Sequence, residues 1–534
     1  MPTRIGKRKK AKECTTEVND MNDRSVEKQI AINMFFNTVN FALKLLISFF
    51  ITPYITGQFG ADAYGFIKLA NDFTDYAALF SIALNSMASR FLMLERTRGN
   101  LAEAKKYYSS ITLANIALTA IMVIPSIFCV IYLDAFLVIP RELTAEVKLV
   151  FLITFASFLA HLCFSTHGNC YYLTNKLSFG SIRDALMTLL RVACIFSLFA
   201  FATPRIIYVA IGAFVATVFG VAYNYYYTRK LTPEFRFCYA DFEWKKLWEV
   251  ISTGIWNSIT KLSQIFTSGL DLLVTNIMIG SQIMGYFSVA KAVPTLAASF
   301  TGMIANAFSP NLMRLYAEND MAGLKKAAKT AMRIMCLFVS IPNAILITMG
   351  KEFFELWVPG QPTQMIAILA VVTIINSCVT GPTQPLYQIF TIVNKVKQSS
   401  IVMIVYGFIS IFITYLCLQF TQWGVYAVAG VSMVGSIIVA CGYHIPYAAK
   451  YIGASKLTFF PEIGISIIST AILCAVGAVV NAVMDLSSSW VMWFVGAILT
   501  GMLGLVINAV LLLNKEERSM LINKVFSKIG IRKG

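Results

Sequence analysis

Long apolar segments alternate with short polar segments along almost the whole chain. An α-helix needs about 20 apolar residues, at about 1.5 Å each, to cross the hydrocarbon core of a membrane. Fourteen segments of sufficient length can be placed, at about 31–55, 62–88, 107–133, 147–173, 181–203, 206–228, 251–279, 285–309, 331–350, 364–390, 399–420, 423–448, 459–483 and 489–513. We therefore predict an all-α polytopic integral membrane protein with about fourteen transmembrane helices.

The chain also repeats itself with a period of 220 residues. Residues 37–106 align without a gap on residues 257–326 with 14 identities over 70 positions, where a shared apolar composition alone would give roughly five. The glycines common to both copies are Gly60 with Gly280 and Gly65 with Gly285. Each copy begins a unit of six segments, and because six is an even number both units have the same orientation in the membrane. We therefore predict two parallel six-helix repeats related by an axis along the membrane normal, with two helices appended.

This repeat sets the domain boundaries that we predict. They are a basic cytoplasmic arm at 1–30, an N-lobe at 31–228, a cytoplasmic linker at 229–249, a C-lobe at 250–448, an appended helix pair at 449–514 and a basic cytoplasmic tail at 515–534.

Composition excludes a soluble protein, and charge placement excludes a nucleic-acid-binding one. Of the 534 residues, 57% are hydrophobic and 13% charged, and the net charge is +17; the mean hydropathy is +0.69. The arm, the tail and alternate loops contain 35 of the 44 Lys and Arg residues, whereas the loops of the opposite face contain four. This is the positive-inside pattern, so we predict a multi-pass protein with both termini cytoplasmic and no nucleic-acid partner.

The sequence offers little support for an enzyme or a metalloprotein. It has no Gly-x-x-x-x-Gly-Lys-Ser/Thr phosphate loop, and its extramembrane segments are too short for a nucleotide-binding or glycosyltransferase domain. His161, Cys163, His167 and Cys170 lie close together in sequence, but their spacing matches no zinc pattern. We therefore predict no enzymatic activity and no bound metal.

Basic residues inside the apolar segments are the candidate functional residues. They are Lys44, Lys68, Arg191, Lys261 and Lys291. Each costs about 2.5–3.5 kcal/mol at the centre of a membrane helix, so a function is the default explanation. In the 220-residue frame Lys261 falls at position 41, one helical turn from Lys44, and Lys291 falls three positions from Lys68. We predict that segments 1, 2, 7 and 8 line a cavity whose lysines bind an anion, most simply a phosphate or diphosphate headgroup.

Nearby aspartates allow two other interpretations. The acidic residues concerned are Asp72, Asp75, Asp184 and Asp271. Asp72 could form an intrahelical ion pair with Lys68, Asp184 lies on the same face as Arg191, and Asp271 could pair with a lysine of a neighbouring helix. Alternatively, Asp72, Asp75 and Asp271 could bind a coupling proton or cation.

Four short stretches carry a resemblance to a known superfamily. They are Phe59-Gly60-Ala61-Asp62-Ala63-Tyr64-Gly65, its repeat from Ile279-Gly280 to Gly285-Tyr286, and the turns Asn175-Lys176 and Asn394-Lys395. Together with the two six-helix units, they resemble the multidrug/oligosaccharidyl-lipid/polysaccharide (MOP) exporter superfamily, and most of all its Wzx-type polysaccharide flippases, over about residues 30–514. The resemblance implies two lobes around a V-shaped central cavity that work by rocker-switch alternating access.

The same resemblance implies a bacterial plasma-membrane protein and a substrate. Such flippases move an undecaprenyl-diphosphate-linked oligosaccharide to the outer leaflet for surface polysaccharide synthesis, O-antigen and lipopolysaccharide included. The implied partners are this lipid-linked substrate, membrane lipids, the polysaccharide polymerase and other assembly proteins, with no cofactor beyond a coupling proton or Na⁺. No short motif transfers site residues, so the five basic residues fit the role by chemistry and not by alignment.

Three alternatives remain at this point. A MATE-type cation-coupled multidrug antiporter has the same fold and usually places acids in its cavity, which keeps Asp72 and Asp75 of interest. A lipid II flippase also has fourteen spans. A membrane scaffold that does not transport would direct the lysines toward separate helix interfaces.

Overall fold

A computed structural model describes most of the chain. It covers residues 38–174, 176–393 and 395–512, together with residues 32, 35 and 36. These residues form helices and short connections, without a β-strand among them. The predicted basic arm and tail, Asn175 and Asn394 lie outside the described residues.

The first part of the chain forms the helices of the predicted first repeat. They are α1 (Thr38–Phe59), α2 (Ala61–Asn85), α3 (Ala88–Thr97), α4 (Leu101–Ile131), α5 (Leu133–Phe136), α6 (Thr144–Cys163), α7 (Cys170–Leu173), α8 (Leu177–Phe201) and α9 (Ile207–Leu231).

The second part forms the helices of the second repeat and the appended pair. They are α10 (Trp244–Gln264), α11 (Asp271–Met278), α12 (Ser281–Ala290), α13 (Ala292–Ala317), α14 (Met321–Trp357), α15 (Thr363–Ile375), α16 (Ser377–Ile392), α17 (Val396–Phe420), α18 (Val425–Val439), α19 (Ile445–Tyr451), α20 (Phe460–Val483) and α21 (Trp490–Leu511).

The helices confirm the predicted fold class. Within the described residues, 12 helices are long and apolar enough to cross a membrane, and α12 with α13, bent by 40°, would make 13. The exception is the predicted seventh segment. It forms α10, a π-helical turn at Ile265–Gly269 and the short α11. α10 is rich in polar residues, and the run is interrupted at Leu270, so neither helix alone meets the length and hydropathy of a span. The chain is thus a multi-pass membrane protein, whereas the orientation of its termini stays a prediction.

The internal repeat is visible in the backbone. Gly60 and Gly280 have φ angles of 88° and 129° and precede α2 and α12, while Gly99 and Asn319 have φ angles of 80° and 58° shortly before α4 and α14. Glycine and, less often, asparagine tolerate this region because the side chain of most residues would clash there. α8 and α17 have the same length, 25 residues, at an offset of 219. The two copies found in the sequence therefore fold into matching helices and turns.

The described residues divide into two compact units. The first unit comprises the described parts of residues 1–49, 80–131 and 148–255, and the second unit comprises those of residues 50–79, 132–147 and 256–534. The lobe boundaries derived from the sequence repeat stay a prediction.

Equivalent glycines of the two copies meet within the second unit. A Cβ atom on Gly65 of α2 would lie 3.0 Å from the Cα atom of Gly285 on α12, and a Cβ on Gly285 would overlap the backbone of Ala61. Any larger residue at either position would force the two helices apart. Glycine is therefore required at this contact between α2 and α12.

Ion pairs in the first unit fix the segment that joins α9 to α10. Arg96 Nη2 lies 3.1 Å from Glu234 Oε1, and Lys246 Nζ lies 2.8 Å from Glu103 Oε2. The hydrogen bond with Glu103 raises the pKa of Lys246, so this lysine stays charged at physiological pH. Together the pairs hold the predicted linker against α3 and α4.

The appended helices pack on α14 of the second unit through buried polar contacts. The Glu462 side chain on α20 is 1% exposed, and its Oε1 lies 3.2 Å from Arg333 Nη2 and 3.5 Å from Lys329 Nζ. Asn508 of α21 donates a hydrogen bond of 2.7 Å to Ser340 Oγ. Because buried charges and amides need partners, these contacts specify where the pair docks.

Candidate functional site

Three lysines and three aspartates of the second unit form a group that we call the charged cluster. Its members are Lys68, Asp72 and Asp75 on α2, Lys261 on α10, Asp271 on α11 and Lys291 between α12 and α13. Residues 68, 72 and 75 share one face of α2 because their spacing is four and three positions. Asp72 is within electrostatic range of Lys68, Asp75, Asp271 and Lys291. The cluster therefore combines most of the site residues that the sequence predicts.

Two ion pairs within the charged cluster link residues that are far apart in sequence. Lys261 Nζ lies 2.7 Å from Asp75 Oδ2, and Lys291 Nζ lies 2.9 Å from Asp271 Oδ2. The other Asp271 oxygen, Oδ1, accepts a hydrogen bond of 3.1 Å from Ser432 Oγ on α18. The Asp271 and Lys291 side chains are 13% and 20% exposed, whereas Asp75 is 61% exposed. The Asp271–Lys291 pair is thus the more enclosed of the two.

The Asp271–Lys291 pair joins two helix interruptions. Lys291 lies at the 40° bend between α12 and α13, and Asp271 begins α11 directly after the π-helical turn and Leu270. An interrupted membrane helix leaves backbone groups that need new partners. Tyr76 of α2 provides one, because its hydroxyl donates a hydrogen bond of 2.6 Å to the carbonyl oxygen of Gly269. The interruptions are therefore held by specific side chains.

Lys68 and Asp72 behave differently from the other members of the charged cluster. Lys68 Nζ lies over the ring of Tyr64, 5.3 Å from its centroid. Within the described residues neither Lys68 nor Asp72 belongs to an ion pair, and the intrahelical pair between them is not formed. The charged cluster thus contains one ammonium and one carboxylate, both partly exposed, that form no ion pair with another described residue.

Lys44 and Arg191 belong to the first unit. Thr188 Oγ1 of α8 donates a hydrogen bond of 3.1 Å to Asn40 Oδ1 of α1. Each span reverses the chain direction, so α1 and α8, the first and fifth spans, run the same way. Lys44 is four residues beyond Asn40 and Arg191 three beyond Thr188, each about one helical turn. The two cations therefore lie at the same depth on neighbouring helices.

Neither cation has a carboxylate partner in the described part of the chain. Lys44 is exposed, and Arg191 Nε is buried without a hydrogen-bond partner. Asp184 is occupied by its neighbour Arg183, whose Nε and Nη2 lie 2.9 and 2.6 Å from Asp184 Oδ1. The first unit thus presents two cations that no carboxylate of the described residues contacts.

The structure therefore places the predicted basic residues in two groups. Lys44 and Arg191 lie in the first unit, and Lys68, Lys261 and Lys291 lie in the second with the three aspartates. Sequence reasoning missed four uncharged residues around these charges. Ser432 donates to Asp271, Tyr76 donates to the carbonyl oxygen of Gly269, and Thr188 joins α8 to Asn40 of α1. These four are uncharged and cost little inside an apolar segment, so the sequence gives no signal for them beyond a polar residue among apolar ones.

Comparison with known proteins identifies the fold. No protein-family model matches the chain. A curated relative, the uncharacterized membrane protein EpsK of Bacillus subtilis (strain 168), is 26% identical over 435 residues, 82% of this chain and 86% of that protein. An inward-facing multidrug resistance MATE family transporter of the MOP superfamily has a TM-score of 0.65 at 13% identity, over 80% of this chain and 98% of its own. The lipid II flippase MurJ in an inward closed conformation has a TM-score of 0.66 at 13% identity, over 89% and 98%.

These similarities confirm the fold that the sequence-based resemblance to the MOP superfamily implies. The chain has the helical fold of MOP-superfamily transporters, as the repeat and the number of spans indicate. At 13% identity the solved structures establish the fold alone. The Wzx-type specificity stays a prediction.

Proposed function

We propose that this protein is a flippase that moves an undecaprenyl-diphosphate-linked oligosaccharide across the bacterial plasma membrane for surface polysaccharide synthesis. The observation that carries the proposal is the pair formed by Lys44 and Arg191. Two cations at one depth of a membrane protein, without a carboxylate partner among the described residues, are costly unless an anion binds them. A diphosphate group supplies that anion and bears more than one negative charge.

The two cations have complementary roles in this proposal. The Arg191 guanidinium is planar and presents its donors as a rigid fork, which suits bidentate binding of phosphate oxygens. Its buried Nε has no hydrogen-bond partner within the described protein. Lys44 is exposed and provides a mobile point charge for the second phosphate. In the second unit Lys68 is a further cation without an ion pair among the described residues.

Lys261 and Lys291 have a positioning role in the same proposal. Their ammonium groups already contact Asp75 and Asp271, which leaves them little net charge to offer to a substrate. They hold α10, α11 and the α12–α13 bend relative to α2 and α18. Transport then requires no covalent step, since the substrate crosses unchanged.

A reconstitution experiment tests the proposal. The full-length protein is placed in vesicles of phosphatidylethanolamine and phosphatidylglycerol with undecaprenyl-diphosphate bearing a fluorescent disaccharide, and dithionite quenches only the probe in the outer leaflet. We expect nearly complete quenching with the protein and partial quenching without it. The same headgroup on undecaprenol, without phosphate, should not be flipped. Equal quenching in protein-free vesicles would contradict the proposal.

Asp72 favours a second candidate, a MATE-type cation-coupled antiporter. Its carboxylate is partly exposed on α2 and lacks an ion pair among the described residues, as a coupling site for a proton or Na⁺ requires. Vesicles with an imposed proton or Na⁺ gradient distinguish the two candidates. Gradient-driven uptake of ethidium, an organic cation, without flipping of the lipid probe would favour the antiporter.

The same carboxylate yields a prediction for the flippase. If Asp72 couples transport to an ion gradient, Asp72→Asn should abolish the acceleration that an imposed gradient produces and leave flipping without a gradient unchanged. Asp75→Asn is the matched control on the same helix, because Asp75 is already bound to Lys261. An Asp72→Asn protein that still responds fully to every gradient would show that Asp72 has no coupling role.

A further inference from the structure

Polar and aromatic side chains of the first unit gather where α8 begins and α9 ends. We call them the α8–α9 cluster, which consists of Tyr171 of α7, Phe179, Arg183 and Asp184 of α8, and Tyr223, Asn224 and Tyr227 of α9. Arg183 binds Asp184 and also donates a hydrogen bond of 2.8 Å from Nη1 to Asn224 Oδ1. The Tyr171 hydroxyl donates to the same Asn224 oxygen at 2.9 Å. The contacts of one guanidinium thus join α8 to α9, and α7 joins through the shared oxygen.

Aromatic rings flank the Arg183 guanidinium. Its Cζ lies 5.8 Å from the centroid of the Tyr171 ring, and Arg183 is also within electrostatic range of Tyr223. The Tyr227 ring lies 4.5 Å from that of Tyr223 and 4.9 Å from that of Phe179, measured between centroids. These last three side chains are partly exposed. The cluster therefore offers ring surfaces next to hydrogen-bonding groups.

The charges of the cluster favour a neutral ligand rich in hydroxyl groups. Arg183 contacts Asp184 through the oxygen Oδ1, and the Asp184 side chain is 43% exposed. An exposed carboxylate accepts hydrogen bonds from hydroxyl groups and repels a phosphate. A sugar ring carries hydroxyl groups around an apolar C–H face, and that face can pack on an aromatic ring. The α8–α9 cluster thus has the chemistry that recognises a carbohydrate.

The cluster lies at a suitable distance from the proposed diphosphate site. Asp184 precedes Arg191 by seven residues of α8, about two helical turns, so both residues are on one face of the helix. Seven residues at about 1.5 Å each separate them by about 10 Å along the helix axis, which is comparable to the length of a disaccharide. Both residues belong to the first unit. A sugar chain attached to a diphosphate at Arg191 can therefore reach Asp184.

We propose that the α8–α9 cluster binds the sugar chain of the lipid-linked substrate and selects among sugar chains. The proposal rests on the proposed function, because Lys44 and Arg191 hold the diphosphate to which the sugar is attached. Asp184 accepts a hydrogen bond from a sugar hydroxyl, and the Tyr227 ring packs against the apolar face of a sugar. Arg183 is a positioning residue that holds Asp184.

Two probes test the proposal. Both consist of undecaprenyl-diphosphate and a fluorophore, joined by a disaccharide in one probe and by an alkyl spacer in the other. Dithionite quenching in vesicles measures flipping, and fluorescence anisotropy in detergent measures the Kd. The test variants are Asp184→Asn and Tyr227→Leu. Their matched controls in the second unit are Glu318→Gln, whose carboxylate is 53% exposed and contacts Arg314, and Tyr415→Leu, whose ring is 50% exposed.

We expect Asp184→Asn to weaken binding and slow flipping of the disaccharide probe about tenfold, which corresponds to the loss of roughly one hydrogen bond to a charged group. Tyr227→Leu should have a smaller effect in the same direction, because leucine keeps apolar contact and lacks the ring face. The alkyl probe should behave as it does with the wild type, and both controls should leave both probes unchanged. Equal losses for the two probes would show a purely structural role and overturn the proposal.

Disaccharide probes that each lack one hydroxyl group distinguish a direct contact from an indirect effect. If Asp184 accepts a hydrogen bond from one hydroxyl, the probe without it should bind the wild type about tenfold more weakly than the complete probe does. Asp184→Asn should bind these two probes equally, because the contact is already lost. Equal losses in the wild type and in Asp184→Asn for every such probe would overturn the contact.

The sugar site and the proposed function can fail separately. If the wild type flips both probes and no variant changes their relative rates or their Kd values, the sugar site is overturned and the flippase stands. If the wild type flips neither probe but binds the disaccharide probe, and Asp184→Asn weakens that binding alone, the sugar site is supported and the proposed function is overturned.

Discussion

The double variant Lys44→Gln, Arg191→Gln should flip the undecaprenyl-diphosphate probe at least about a hundredfold more slowly than the wild type. Each hydrogen bond to a charged group contributes about 1.5–3 kcal/mol, and two such losses together amount to a factor of about a hundred or more. Initial rates of dithionite quenching measure the effect. The flipping rate of Arg191→Lys alone should lie between those of the wild type and the double variant, because lysine keeps the positive charge and lacks the planar guanidinium.

A measurement of thermal stability distinguishes slower flipping by the double variant from misfolding of the double variant. The two cations lack carboxylate partners among the described residues, so neutralising them removes a cost of insertion and should leave the thermal midpoint in detergent equal to or above that of the wild type. Lys351→Gln is the control, since Lys351 is an exposed lysine that contacts Glu355 at 3.6 Å. Normal flipping by a well-inserted double variant would remove Lys44 and Arg191 from the site.

Asp271→Asn should destabilise the protein by about 3–5 kcal/mol. The substitution leaves the Lys291 ammonium, 20% exposed, without its carboxylate at 2.9 Å, and breaking an enclosed pair costs more than removing both partners. The double variant Asp271→Asn, Lys291→Met should therefore recover most of the loss. Denaturant unfolding in detergent, followed by tryptophan fluorescence, measures all three proteins.

The exposed pair of the charged cluster provides the comparison. Asp75→Asn should cost no more than about 1 kcal/mol, because Asp75 is 61% exposed and solvent screens its contact with Lys261. Equal losses for Asp75→Asn and Asp271→Asn would contradict the difference in burial. If the Asp271→Asn, Lys291→Met protein is stable and still flips its substrate, Lys291 has a structural role. If it is stable and inactive, Lys291 contacts the substrate.

The fold could be predicted because its main determinant is local. An apolar run of about 20 residues specifies a membrane helix without reference to the rest of the chain, and a 220-residue repeat specifies the duplication. The seventh segment fails this test because its apolar residues are interrupted. Its helix α10 carries polar residues, and the π-helical turn before Asp271 accepts a hydrogen bond from Tyr76, a long-range contact that no local pattern encodes.

The site could be predicted only in part, because contacts between side chains that are distant in sequence are not encoded by any local pattern. The cost of a charge in an apolar segment identifies Lys44, Lys68 and Arg191 as unusual, yet it does not identify their partners. The contact of Lys261 with Asp75 joins residues 186 positions apart. The relation between Lys44 and Arg191 depends on a hydrogen bond between two uncharged side chains. Such pairings are properties of the packed helices.

The buried carboxylate of Glu462 ties the second copy of the repeat to the appended helix pair. It contacts Lys329 at 3.5 Å and Arg333 at 3.2 Å, and the 220-residue frame places Ser109 and Leu113 at the corresponding positions of α4. The first copy, which has no appended partner, thus lacks the two cations that α20 requires. A protein shortened to remove α20 and α21 would therefore take this carboxylate away from Lys329 and Arg333, a loss that the first copy would not suffer.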